Sequence, residues 1–140
     1  MSIFETHSPL RFVDVILPLA LPKLLTYFVP PEMDTEVGIG QRVVVQLQKE
    51  KLYTGIIAKI HSDKPVSYDT KPIISLLDKN PIIHEFHLRF WDWISRYYIC
   101  SLGEVMTAAL PCGLKLNSEA KILLADIEGL NYDVLTDREY

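Results

Sequence analysis

Hydrophobic and polar residues follow a strand-like period of about two as far as Leu77 and a helical period near 3.6 beyond it. Residues 11–17 (Arg-Phe-Val-Asp-Val-Ile-Leu) alternate in part and are rich in β-branched and aromatic types, which predicts a first strand. Residues 24–29 predict a second, closed by Pro30-Pro31. Residues 32–39 are turn-rich, and residues 41–47 carry Val43, Val44 and Val45 in a row, as in a strand covered on both faces or lying in a curled sheet. The polar residues 48–51 form a hairpin loop, and residues 52–60 a fourth strand in which Gly55 allows a bulge or a tight corner. Residues 61–70 have loop composition, and residues 71–77 predict a fifth strand with Pro72 near its start, where a missing donor is tolerated.

Two helices follow. Asn80-Pro81 offers an N-cap and a first-turn proline, with Ile83, Phe86, Phe90, Ile94 and Tyr97 at three- and four-residue steps. Ser101 and Glu104 have capping-box spacing, and the second helix runs from there until Leu110-Pro111 stops it. The class is therefore α+β: a small antiparallel β-barrel of about five strands followed by two short helices. Residues 1–10 read as an N-terminal tail. Residues 113–140 read as a linker and the truncated start of a further domain, with a strand candidate at 121–125, a turn at Gly129 and a capping box at Thr136 and Glu139.

One stretch breaks the strand pattern. In residues 17–27 (Leu-Pro-Leu-Ala-Leu-Pro-Lys-Leu-Leu-Thr-Tyr), Pro18 and Pro22 each fix φ, remove a donor and extend the residue before them. The chain must bend there, and the main-chain groups it frees, beside Lys23 and Thr26, are a place to hold a ligand.

Composition narrows the function. The chain has 140 residues, 49% hydrophobic and 23% charged, enough for one domain with a core. Its apolar runs are too short to span a membrane, and the start lacks the basic and apolar regions of a signal peptide, so a cytoplasmic protein is expected. The net charge of −4 argues against nucleic acid, but its distribution does not: residues 40–64 hold five basic residues against two acids, whereas residues 113–140 hold three against six. Cys100 and Cys112 lack metal-site spacing and read as buried thiols.

Few residues suggest chemistry. His84-Glu85-x-His87 has its histidines three apart, whereas a zinc-hydrolase helix needs them four apart to reach one ion. No phosphate loop and no nucleophile elbow occurs. The aromatic residues Trp91, Trp93, Tyr97 and Tyr98 could stack on bases but at helical spacing read as core. Lys49, Lys51, Lys71 and Lys23 are either a solvated rim or a phosphate-binding edge. No metal or cofactor is expected, and the chain reads as a binding module and not an enzyme.

Five patterns in order carry a resemblance: Val15-x-Leu17-Pro18-x-x-Leu21-Pro22-Lys23-x-x-x-Tyr27; Gly40-x-Arg42-Val43-x-Val45; Gly55-Ile56-Ile57; Leu76-Leu77-Asp78-x-x-Pro81; and Trp93-Ile-Ser-Arg-Tyr97-Tyr98 with Leu102-Gly103-Glu104-Val105 and Ala109-Leu110-Pro111. Over residues 11–112 the chain resembles the amino-terminal 3′ DNA-binding domain of PriA, the bacterial replication-restart helicase. The resemblance implies an OB-like curl to the barrel and a winged-helix domain opening in residues 113–140. It also implies binding to the 3′ end of the nascent leading strand at stalled or branched forks. Its partners would be forked or 3′-ended DNA, other domains of the parent helicase, and primosome or single-strand-binding proteins. The parent would be an ATP-dependent 3′-5′ helicase whose ATP and zinc sites lie in other domains.

Carried over by position, the family's pocket aromatic falls on Leu25, its aspartate on Thr26, its turn glycine on Gln48 and its lysine on Lys71. Only the lysine is kept. The implied mode is binding without chemistry, with a terminal nucleotide between the proline bend and the turn at residues 48–51. Lys71, with Lys23, Lys49 or Lys51, would meet phosphate, while Thr26 and nearby main chain meet the sugar. The alternative is a β-barrel that docks protein within the helicase and binds DNA weakly, without regard to ends.

Overall fold

The structure is a computed structural model and describes residues 10–48 and 51–115. The N-terminal tail up to residue 9, Lys49, and the strand, turn and helix start expected after residue 115 lie outside the described residues.

The β-branched stretches form five strands: β1 (Phe12–Ile16), β2 (Leu25–Phe28), β3 (Arg42–Leu47), β4 (Lys51–His61) and β5 (Ser75–Leu76). They make one antiparallel sheet in the order β2-β1-β4-β3-β5. The long β4 serves β3 with its first half, Lys51 to Ile56, and β1 with its second, Ile56 to His61. Its partners are thus offset along it, and the sheet curls. A bulge sharpens the bend: Asp14 pairs with Lys59 and Val15 with Ile57, leaving Ala58 as the extra residue. Gly55, read as allowing a bulge or a tight corner, lies in regular register opposite Val43 just before β4 changes partner, and the side chains of Val15 and Leu17 occupy the space a Cβ there would need.

The curl brings the sheet edges together without a continuous ladder between them. Phe28 N–H donates to Lys71 O at 2.9 Å and Ile73 N–H to Phe28 O at 3.0 Å, a single parallel bridge. This explains why the fifth strand, expected over 71–77, is only two residues long. Residues 71–73 are committed to β2, and Pro72 has no N–H to offer β3.

Apolar residues on the concave face, among them Val13, Val15, Tyr27, Val43, Val45 and Ile57, fill a first core. Ile16 and Ile56, on the other face, join Ile83, Trp91, Val105, Met106 and Leu110 in a second core beneath the helices. Sheet residues between the two cores are covered on both sides, which is why β1 reads as a nearly unbroken apolar run.

The proline stretch is a bend, as expected. Leu19 N–H donates to Leu17 O at 2.7 Å and Leu21 N–H to Leu19 O at 2.8 Å, two successive three-residue turns. The Leu17 and Leu19 carbonyls face the backbone of Gly103 so closely that a Cβ there would overlap both. These two carbonyls therefore meet a helix.

Helix α1 (Glu85–Tyr98) starts four residues later than Pro81 suggests. The N–H groups of Ile82 and Ile83 both donate to Gly40 O at 3.1 Å, holding that segment against the sheet, and His84 is the N-cap. Helix α2 (Leu102–Ala109) begins as expected, with the Ser101–Glu104 capping box formed. The phase of α1 differs from the expected one. Trp91 is buried and Leu88 and Ile94 pack beside it, whereas Phe86, Phe90, Trp93 and Tyr97 are 60%, 55%, 55% and 65% exposed, and Tyr98 lies outside as well. Pinning Ile83 in the second core turns the aromatic stripe outward. Cys100 is half-buried, but Cys112 is exposed at the start of a 3-10 turn, against the expectation of a buried thiol.

Arg42 and Asp78 tie β3 to the segment after β5. Arg42 Nε and Nη2 donate to the two Asp78 carboxylate oxygens at 2.8 and 2.7 Å, and Arg42 N–H adds a third bond at 3.1 Å. These bonds hold the Asp78 carboxyl below its usual range, and both side chains are largely buried.

Two outcomes follow for stability. Gly103→Ala drives a methyl into the bend and is expected to cost about 2 kcal/mol in urea unfolding, while Gly113→Ala, with open space around it, stays within about 0.5 kcal/mol. Asp78→Asn is expected to cost about 3 kcal/mol at neutral pH by leaving Arg42 without its partner. Because the folded-state carboxyl titrates below the unfolded one, this contribution is complete above about pH 4. It is lost as pH falls through the folded value, so the urea midpoints of wild type and variant converge in acid.

Candidate nucleic-acid interface

Three pieces of backbone meet at the open end of the curl. Leu25, Thr26 and Tyr27 come from β2; Gln46, Leu47 and Gln48 from the end of β3 and its turn; Tyr68, Asp69 and Lys71 from the connection into β5. They line a pocket of about 150 Å³. A cavity of that order takes a single benzene-sized ring, so it fits one sugar or base edge and not a length of strand.

The turn is held by its backbone. Gln48 has φ of 61°, the left-handed region that favours glycine and costs other residues about 1 kcal/mol. Lys71 Nζ donates to Gln48 O at 2.7 Å and so holds the turn in that conformation. The ammonium keeps two further donors. Gln48 thus preserves a conformation natural to glycine while adding a side chain at the pocket rim.

Thr26 is used from within. Its hydroxyl donates to Asp14 Oδ1 at 2.7 Å, across the β1–β2 pair, and its N–H donates to the Tyr68 hydroxyl at 2.8 Å. Asp14 Oδ1 also lies 3.0 Å from His61 Nε2. His61 Nδ1 accepts the Asp63 N–H, so in the neutral ring Nε2 carries the proton and donates to Asp14. Tyr27 is buried, and burial together with the neighbouring Tyr68 pushes its phenol up to about 12, which keeps it protonated at any physiological pH.

The structure therefore brings together Leu25, Thr26, Gln48 and Lys71. It separates Lys23, which lines a different cleft of about 500 Å³ beside Arg96 and Ser101 at the helix ends. Lys51 is exposed at the first position of β4, paired with Leu47, and does not line the pocket; Lys49 lies outside the described residues. Sequence reasoning missed Tyr68 and Asp69. The available signal was an aromatic and an acid side by side in a polar loop just before Lys71, where a ring has no core to fill.

Chemically, the pocket offers apolar packing from Leu25 and Leu47, one accessible ring, one ammonium and one carboxylate. That set can pack against one ring and meet one anionic and one hydrogen-bond-donating group. Among the described residues, no group of three or more His, Cys, Asp or Glu is placed to hold a metal ion, and no helix is long and apolar enough to cross a membrane.

Comparison with known proteins places the chain in a family. The replication restart protein PriA of Chlamydia trachomatis serovar D is 31% identical over 111 residues, covering 76% of this chain and 15% of that protein. The PriA proteins of Haemophilus influenzae and of Buchnera aphidicola subsp. Schizaphis graminum are 35% and 30% identical over 117 and 129 residues. These matches cover 81% and 91% of this chain, which spans only 15% and 17% of those relatives. The family described as the PriA 3′DNA-binding domain (3′BD) matches residues 14–111, from Asp14 in β1 to the proline that follows α2, and so takes in most of β1, the other four strands and both helices. The chain belongs to that family and carries the DNA-binding domain of a replication-restart protein.

Proposed function

We propose that this chain is a non-catalytic module that holds the 3′ end of the nascent leading strand at a stalled or branched replication fork. The observation that carries the proposal is the convergence of Leu25, Thr26, Gln48 and Lys71 on one ring-sized pocket. These are the positions to which the family resemblance assigns the site, although they come from separate elements. In this reading the terminal sugar enters between β2 and the Gln48 turn, and the spare donors of Lys71 meet the last phosphate. Lys23, in the neighbouring cleft, meets backbone further along the strand. Lys49 and Lys51 act at long range by charge. The parent protein would be an ATP-dependent 3′-5′ helicase of the bacterial cytoplasm, working with primosome and single-strand-binding proteins. Residues 113–140 would begin its winged-helix domain.

A second reading, docking of protein, is favoured by the ridge on α1. Phe90 and Trp93 stack at 6.0 Å between centroids and Trp93 and Tyr97 at 5.2 Å, all of them exposed. With Phe86 they stand at four-, three- and four-residue steps, the seam of a helix that packs against another helix. Since the chain spans only 15% of its relatives' length, the remainder of the parent protein is the partner this reading implies.

Fluorescence anisotropy with a labelled oligonucleotide tests the first reading. A free 3′-hydroxyl end is expected to bind more tightly than a 3′-phosphate end, and equal affinities would overturn end recognition. Lys71→Ala is expected to weaken binding roughly tenfold and to flatten the dependence of log Kd on log salt by about 0.7 for a single strand, with the fold retained and the unfolding midpoint lowered only slightly by loss of the Gln48 contact. Unaltered binding would place the site elsewhere.

A further inference from the structure

Two of the pocket-lining residues, Tyr68 and Asp69, are exposed and have no part in the reading just given. Tyr68 is 41% exposed, and it is the accessible ring of the pocket because Tyr27, at 3%, is closed off. Asp69 is the sole carboxylate among the lining residues and is exposed. Both arrive on the 62–70 loop and flank the pocket on the side of Lys71. On β2 the Thr26 hydroxyl gives its proton to Asp14 and can only accept from a ligand, and the Leu25 side chain has no polar group.

We propose that Tyr68 and Asp69 form the specificity wall of the pocket, Tyr68 stacking on the terminal base or sugar and Asp69 accepting the terminal sugar hydroxyl. This deepens the 3′-end reading and rests on it. Two physical arguments support the assignment. The Tyr68 hydroxyl accepts the Thr26 N–H at 2.8 Å, which anchors the ring to β2 and lowers the entropy lost when a base stacks on it. Having accepted that bond, the phenol still carries its own proton and can donate to a ligand oxygen.

The carboxylate sets the sign of the selectivity. A hydroxyl can donate to Asp69, whereas a phosphate in the same place meets like charge. Lys71 attracts phosphate in the same pocket, so the two charges sort the end: internal phosphate toward the ammonium, free hydroxyl toward the carboxylate. A terminal phosphate satisfies one and is repelled by the other. The site therefore discriminates by charge pattern and not by base sequence.

The test uses the whole 140-residue chain. Anisotropy is measured with oligothymidine ending in a 3′-hydroxyl or a 3′-phosphate, and stacking with 2-aminopurine as the 3′-terminal base. Wild type is expected to prefer the hydroxyl roughly tenfold, and Asp69→Asn to bring the ratio close to one, mainly by gaining affinity for the phosphate end. Tyr68→Phe keeps the 2-aminopurine quench and Tyr68→Ala loses it. A hydroxyl preference that survives in Asp69→Asn, or a quench that survives in Tyr68→Ala, overturns this assignment while leaving end binding in place. A wild-type chain with no preference overturns both readings. Should Tyr68→Ala shift the unfolding midpoint, the Asp69→Asn ratio decides alone.

Discussion

The approach of two carbonyls to a glycine organises this domain. Leu17 and Leu19, on either side of Pro18, turn their oxygens toward the backbone of Gly103 at the start of α2. No side chain at 103 could be accommodated, and the two three-residue turns that aim those oxygens exist because prolines forbid continued strand pairing. Through this contact the bend joins the two cores. Leu17 belongs to the core inside the curled sheet, and Leu24 packs on the core beneath the helices. The exit from the bend sets where β2 begins, and β2 carries one wall of the pocket.

The pocket depends on polar bonds made outside it. Asp14 receives the hydroxyl of Thr26 and the proton of His61, so β1, β2 and the end of β4 are joined at one carboxylate. Lys71 receives the opposite wall by holding the Gln48 carbonyl. Between them the Phe28–Pro72 bridge fixes the distance between sheet edges. A turn with Gln48 in a glycine-like conformation persists because a lysine from another element holds it there. Binding of an anionic ligand at Lys71 would therefore act on the turn as well as on the lysine.

Both faces of the sheet are used, and this limits the helices. Ile56 and Ile57 are adjacent in β4 and point to different cores. The helices cover the outer face through Ile83, Trp91, Val105 and Met106, which leaves the broader aromatic side of α1 facing away. Five large exposed rings on one helix are unusual on a free surface and mark that side as one made to be covered or to stack.

Strand positions, the proline bend, the Ser101 cap of α2 and the curled α+β class were legible because each rests on local chemistry: β-branched alternation, missing N–H groups, or a side chain within reach of its own helix. Lys71 and the turn at Gln48 were legible through the pattern of residues that this family shares. The rotation of α1 was not, because the spacing of Phe86, Phe90, Trp93 and Tyr97 shows a stripe but not what faces it; two hydrogen bonds to Gly40 O decided that. Nor could the order in the pocket be read from the chain. Thr26 and Asp14 are twelve residues apart, and Thr26 and Tyr68 forty-two, yet the first pair uses the proton of the threonine hydroxyl and the second brings a tyrosine beside it. Sequence by itself determined which residues could bond or stack; only the curling of the sheet decided which partners were near enough to do so, and so placed Tyr68 and Asp69 in the lining of the same pocket as Leu25 and Thr26.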